Sequence, residues 1–414
     1  MLDGGFPESP VDEQTLKLQR SPLGRSVTLH SPTSFTSSEN DNPTGKQVLI
    51  LCYDDPLNPK SGGAPRYFFE MARRLAVRGF SVTWVSSRFP GASPSEVREG
   101  VTFERRGSAY TTFFFAMMDL PRRSRRAIVF ESISAVPYFT PLFARGPVLS
   151  MVHHVIPRSV IVQKVGLLGL LVEGIQNWVT PWLYRTRSVI TNVGSAQAEL
   201  RSLGYSNVHA VRTGVDVPLS GTFPLDQKVD LVVVAGPLRP WKRIEHCLEA
   251  FSALPERWSL CVFGAFENDA YRDRIVDLAQ RLGIAQRVTF PGRIPEEEKH
   301  RIYRRAKVAL VASEKEGWGL AAVEPQTFGC PVVAYDVPGV RDSVRNGETG
   351  ILVPSGDVKA LRRALCSLVE DEADWHRFAR RASEAYLSHS WDEVFTDFYS
   401  VFQKVARRAE TDRA

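Results

Sequence analysis

Cysteine is scarce in this sequence and nowhere paired. Cys52, Cys247, Cys261, Cys330 and Cys366 are five among 414 residues, with no CxxC spacing. Most stand in apolar runs and read as buried free thiols of a reducing compartment. Long apolar runs are missing too: no stretch reaches eighteen uninterrupted apolar residues, and the N-terminus carries no apolar signal core. The expectation is a cytoplasmic protein without a membrane span. Acidic clusters at metal-ligand spacing are absent, as is any nucleic-acid motif, so neither a metal nor a nucleic-acid partner is expected. Charge of one sign is also lacking. With 52 basic against 46 acidic side chains the net charge is +6, which favours an anionic ligand or a membrane surface only weakly. What remains is 43% hydrophobic and 24% charged, the composition of a soluble globular protein long enough for two ordinary domains.

The chain is organised around Lys307 to Pro354. The apolar run Val308-Ala309-Leu310-Val311-Ala312 is bounded by charge and glycine and reads as a buried parallel strand. Ser313-Glu314-Lys315-Glu316-Gly317-Trp318-Gly319 follows as a loop, Leu320 to Gly329 as a short helix, and Val332 to Tyr335 as the next strand. A glycine-flanked loop of such a βαβ unit lies at the carboxyl end of a strand, where open α/β sheets bind ligands. The amides around Gly317 to Leu320 lead into a helix N-terminus and suit a phosphate. Glu316, before the turn, and Glu324, eight residues later, would repel phosphate. They fit as acceptors for neutral hydroxyls on either side of it, a sugar and a ribose. Pro325 lacks an N–H and is harmless only if the helix starts within about four residues before it.

Glu316, seven residues and Glu324, followed by Asp336-Val337-Pro338-Gly339 and by Gly347-Glu348-Thr349-Gly350-Ile351-Leu352-Val353-Pro354, resemble the retaining glycosyltransferases of family 4, which have the GT-B fold. The resemblance covers roughly residues 46 to 408 and is strongest from 229 onward. It implies two facing Rossmann-like domains, each a doubly wound parallel α/β sheet, as the alternation of strands and helices along the chain also suggests.

Residues 1–44, rich in Ser, Thr, Pro and Asn, read as a disordered tail. The first domain is expected over 45–217 with a returning helix over 388–408, and the second over 229–387. In the first, a strand ends at Cys52, and Gly62-Gly63 leads into an amphipathic helix. This junction resembles the family's glycine loop, with Pro65 where the family has Glu. Phe113 to Phe115 and Met117-Met118 precede Arg122-Arg123-Ser124-Arg125-Arg126. That run reads as a basic loop or helix end, with peripheral membrane contact as the alternative. Val148 to His154 is a strand ending in two histidines. By the resemblance one of them points into the cleft, and His153 is favoured over His154. Val160 to Tyr184 is apolar but interrupted by polar residues, and is expected to pack as helices over the acceptor cleft. Val193 and Thr213 depart from the family pattern, and Val217 to Lys228 reads as the linker.

In the second domain Val229 to Gly236 is a strand. Pro237-Leu238-Arg239-Pro240-Trp241-Lys242 then stands where the family grips a diphosphate with Arg and Lys. Lys242 matches, Pro237 replaces the Arg, and Arg239 is expected to take over its grip, with Arg243 pointing away along the helix. Backbone near Arg293 and Ile294 is expected to meet the nucleobase. The donor site implied is Gly62, Gly63, Gly236, Lys242, Arg293, Ile294, Glu316, Gly317, Trp318, Gly319, Leu320 and Glu324. The catalytic residues implied are Glu316, His153, Lys242 and Arg239, with no cofactor and no metal. The chemistry implied is transfer of a hexose from a UDP- or GDP-linked sugar to an unidentified acceptor hydroxyl, with retention of configuration. A nucleotide-binding relative without turnover and a sugar-nucleotide epimerase are the alternatives.

Overall fold

A computed structural model describes residues 46–58, 61–215, 224–386 and 389–411. The expected tail lies outside the described residues, as does most of the expected linker.

Apolar runs form most of the strands. β1 (Gln47–Leu51), β2 (Ser81–Ser86), β3 (Ser95–Arg98), β4 (Val101–Arg105), β5 (Ala127–Ile133), β6 (Val148–Val152), β7 (Ser188–Thr191) and β8 (Val208–Ala210) make one sheet. Its order is β3-β4-β2-β1-β5-β6-β7-β8. All neighbours are parallel except the β3–β4 pair. β9 (Val229–Ala235), β10 (Ser259–Phe263), β11 (Val288–Gly292), β12 (Ala306–Val311), β13 (Val332–Tyr335) and β14 (Gly350–Val353) make the second. Its order is β11-β10-β9-β12-β13-β14, parallel throughout. Strands buried on both faces explain why the sequence shows continuous apolar runs rather than alternation. Two doubly wound parallel sheets are the GT-B architecture.

The sheet orders locate the ligand crevice. In the second sheet the strand order reverses between β9 and β12, and in the first between β1 and β5. Loops leaving adjacent strands in opposite directions open a crevice at their carboxyl ends. The loop after β9 carries Arg239 and Lys242, and the loop after β12 carries Glu316.

The helix Trp391–Thr411 returns to the first sheet. Val394, Phe398, Val401 and Phe402 join a core with Val48, Ile50, Phe68 and Phe130. The helix Gly63–Val77 covers the same face, and the helix Thr112–Arg123 packs Ala116 and Leu120 on the opposite one. The Arg122–Arg126 run is therefore partly a helix end, where Arg123 holds Glu104 at 2.8 and 3.0 Å. All five cysteines are free and four are buried.

Candidate active site

The turn between β12 and the helix Leu320–Thr327 brings two of the predicted residues, Glu316 and Lys242, together. The Glu316 carboxylate accepts hydrogen bonds from Lys242 Nζ and, at 2.6 Å, from Ser313 Oγ. Lys242 and Glu316 side chains are only 15% and 13% exposed, so the ion pair is largely shielded from water. The Glu316 amide donates to the Pro338 carbonyl at 3.2 Å. Gly339 makes this close approach possible. At φ +84° it has a backbone that side chains disfavour, and a Cβ there would lie 2.2 Å from the Glu316 carbonyl oxygen.

The helix begins at Leu320, with Gly319 as N-cap and no capping side chain. Pro325 is the sixth residue of the helix, beyond the range in which its missing N–H is harmless, and it leaves the Ala321 carbonyl without the usual bond. Glu324 is held elsewhere: Lys299 Nζ lies 3.0 Å from its carboxylate and the Tyr303 hydroxyl 3.3 Å. The two glutamates therefore have separate partners.

Lys242 closes a single turn of 3₁₀ helix, Pro240–Lys242. Arg239 stands before it in extended conformation, and its guanidinium lies over the Trp241 ring at 5.1 Å. Its positive charge is felt by the Tyr53 phenol beyond β1, whose pKa burial nonetheless raises. Arg243 does not run along its helix as expected. It takes a left-handed backbone (φ +49°) and turns back, its guanidinium 3.0 Å from Glu314 and 3.3 Å from Ser355 Oγ. The Glu314 carboxylate in the 313–319 turn attracts it more than open solvent beyond the helix would.

The first sheet supplies the opposite wall. Gly63 opens its helix so close to Leu320 that a Cβ would lie 3.0 Å from Leu320 Cδ1. Gly62 is the N-cap, and its amide is bonded to the Asp54 carboxylate, whose pKa burial raises. That loop thus already faces an acid of its own. Of the two histidines, His154 lies against the turn, its Nδ1 3.0 Å from where a Gly317 Cβ would be. His153 is packed edge-on between Tyr67 and Phe68, each with ring centroid 6.1 Å away. Asn192 Nδ2 lies 2.9 Å from His153 Nδ1, a contact that leaves the proton on Nε2 when the amide donates. Burial, and then the neighbouring His154, lower the His153 pKa to about 3, so the ring is neutral. Its Nε2 is buried without a hydrogen-bond partner.

The Trp318 ring turns away from the turn into an apolar cluster with Val193, Val215, Val323 and Tyr386. Val193, where the family has Ser, is a packing partner of Trp318 in this cluster. Lys315 pairs with Glu199 at 2.7 Å, and the Ser195 amide donates to Asp342 at 3.1 Å. These contacts link the helix Gly194–Ser202 of the first sheet to the second. Gly236 follows β9 with its amide on the Phe263 carbonyl at 3.1 Å. Arg293 is exposed and Ile294 half-buried, just beyond β11. Ser313, Asp54, Tyr53 and Asn192 escaped the sequence reading. Only Asp54, an acid at the end of an apolar run, left a signal there.

A family model described as glycosyltransferase family 4 matches residues 61–218, and one described as glycosyl transferases group 1 matches residues 220–385. The chain belongs to the family 4 glycosyltransferases of the GT-B fold. Among curated proteins, a D-inositol 3-phosphate glycosyltransferase of Corynebacterium efficiens is 33% identical over 195 residues, 46% of this chain and 45% of that one. An exopolysaccharide phosphotransferase of Streptomyces coelicolor is 32% identical over 191 residues, 43% of this chain and 20% of the other. The chain thus spans less than half the length of these curated relatives. Among solved structures, sucrose-phosphate synthase of Thermosynechococcus elongatus has a TM-score of 0.73 at 20% identity, covering 87% of this chain and 99% of its own. HepE of Anabaena, solved with UDP and glucose, has a TM-score of 0.69 at 17% identity, covering 87% and 100%. These similarities establish the fold.

Proposed function

We propose that the protein transfers a hexose from a nucleoside diphosphate sugar to an acceptor hydroxyl, retaining the anomeric configuration. The observation that carries this reading is the shielded Lys242–Glu316 pair at the strand-order reversal of the second sheet, facing Gly63 and His154 of the first. A cation and a hydroxyl acceptor side by side match a donor that presents a diphosphate next to a sugar. Lys242 and Arg239 neutralise charge growing on the leaving diphosphate, and the uncapped amides at the start of the Leu320–Thr327 helix add to that field. Glu316 accepts from the sugar's hydroxyls, and Glu324 from the ribose. His153, kept neutral by burial, helps orient the sugar without bringing a charge into the cleft.

In the transfer step, the bond from the anomeric carbon to the diphosphate oxygen breaks. A bond to the acceptor oxygen forms on the same face, and the acceptor's proton passes to the departing phosphate. The protein's own cations and dipoles carry the diphosphate's charge, so this reading assigns no cofactor or metal.

HepE has also been solved with UDP-glucose, which makes UDP and UDP-glucose the first ligands to try, with GDP and its sugars beside them. A ligand bound only by the folded state raises the melting temperature. One nucleotide family should shift it in a saturable way. No shift with any of these ligands would overturn the reading.

A further inference from the structure

The helix that runs from Leu168 to Tyr184, with one π-helical turn over Ile175–Val179, is built inside out. Its inner face is anchored by polar groups. Gln176 accepts from the Ile156 amide at 2.9 Å and donates to the Ile156 carbonyl at 3.0 Å. The Tyr184 hydroxyl donates to the buried Glu131 carboxylate at 3.2 Å. The outer face is apolar: Leu168 is 69% exposed, Leu171 64%, Trp178 79% and Trp182 77%. These positions recur at helical spacing and make one stripe. Exposed arginines, Arg185 and Arg187, end it. The single acid of the helix, Glu173, is paired with Arg158 at 3.4 Å. Leu168, Leu171, Trp178 and Trp182, expected to pack over the acceptor cleft, are instead exposed.

We propose that this stripe is a docking surface for an anionic lipid bilayer, with the helix lying in the plane of the membrane. Indoles, leucines and flanking arginines are the side chains that settle at the boundary between headgroups and acyl chains. At about 1.5 Å per residue the helix offers an edge of about 25 Å. Neighbouring elements carry further exposed apolar side chains. The Thr112–Arg123 helix leaves Phe114 57% and Met118 62% exposed, and the short helix Thr140–Phe143 leaves Leu142 63% exposed. These two helices pack together, and Thr140 joins the second to Tyr184 through a 3.1 Å hydrogen bond. A second copy of the chain fits this surface less well. A two-fold contact would set the arginine rim against itself, whereas anionic headgroups neutralise it. The proposal does not depend on the transfer reading.

The test is co-sedimentation of the full chain with vesicles of phosphatidylcholine alone or mixed with phosphatidylglycerol. The chain should pellet with the anionic vesicles, with a blue shift of tryptophan emission, and stay in solution with the neutral ones. Salt at about 0.5 M should weaken binding, because it screens the arginines. Trp178→Ser/Trp182→Ser should reduce binding about tenfold or more without lowering the melting temperature, since both rings are exposed. Arg185→Glu/Arg187→Glu should do so by a similar factor. Wild-type chain remaining in the supernatant with anionic vesicles would overturn the proposal. So would unchanged pelleting of the tryptophan variant. A solution dimer that dissociates when those tryptophans are replaced would instead assign the stripe to a second copy.

Discussion

Replacing Lys242 by Met should destabilise the ligand-free protein measurably, although the residue sits in a ligand loop. The substitution keeps the length of the side chain and removes its charge. It leaves the Glu316 carboxylate, 13% exposed, with Ser313 as its remaining side-chain partner. Breaking a fully buried pair costs about 3–5 kcal/mol, and an exposed one about 0–1 kcal/mol. With both side chains near the buried end but still touched by water, about 2 kcal/mol is the expected loss. At about 2–4 °C per kcal/mol for a domain of this size, the melting temperature should fall by about 4–8 °C. The pair can be separated from its surroundings by a double-mutant cycle with Glu316→Gln. The doubly substituted protein should recover much of the loss, because no uncompensated charge remains. Thermal melts of the four proteins, without nucleotide, provide the assay. An unchanged melting temperature in Lys242→Met, or strictly additive losses in the double variant, would refute the pairing on which the site rests.

Arg239→Ala should cost about 2 kcal/mol in transfer, the value of a charge-assisted contact to phosphate; kinetics equal to the parent would return Arg239 to a stacking role on Trp241. Gly63→Val should be tolerated by the fold but wedge the glycine loop against Leu320, lowering turnover about tenfold or more; steady-state rates and a melt on the same sample check both halves of the claim. Glu131 gives a pH prediction. Burial raises its pKa from 4.5 to about 7, against hydrogen bonds from Thr140, Ser150 and Tyr184 that favour the charged form. Below 4.5 its contribution to stability is fully present. As pH rises towards about 7 the unfolded chain has lost a proton that the folded one keeps, so stability falls by about 1.4 kcal/mol per unit. His153, with its pKa lowered to about 3, acts in the opposite direction as pH falls below about 6.5. The difference between wild type and Glu131→Gln therefore isolates the carboxylate. The variant should gain stability relative to wild type as pH rises from 5 to 7, and a constant difference would contradict the assignment.

Five strands of the second sheet, from Val229–Ala235 to Val332–Tyr335, were legible because they wrote themselves as short apolar runs. β5 was not: Ala127–Ile133 is buried along its whole length but carries Glu131 and follows an arginine run, so it does not read as a strand. The β3–β4 hairpin was missed for a related reason, since β3 is an exposed edge of charged and polar residues. At the site, residue types and spacing marked Glu316, Glu324 and Lys242 within their own loops. They could not mark the Lys242–Glu316 pair, which joins residues 74 apart in sequence. Nor could they show that the ring of His154, rather than that of His153, lies against Gly317, because that depends on how one sheet is set against the other. Arg243 misled because helix periodicity says nothing about a left-handed cap that reverses a side chain. Trp178 and Trp182 were expected to pack over the acceptor cleft, and apolar content alone could not show that the polar side of their helix turns inward and leaves the indoles exposed.

The most direct test of the central claim is release of nucleoside diphosphate from a nucleotide sugar by the purified full chain, measured with and without Glu316→Gln. Wild type should release diphosphate from whichever donor raises its melting temperature. Glu316→Gln should slow that release about 10²-fold or more, as loss of a preorganised contact to the reacting sugar does, while the nucleotide itself still stabilises the variant. Nucleotide binding with no release from any donor would leave a binding protein in place of a transferase. Release by Glu316→Gln at the wild-type rate would remove this glutamate from the chemistry.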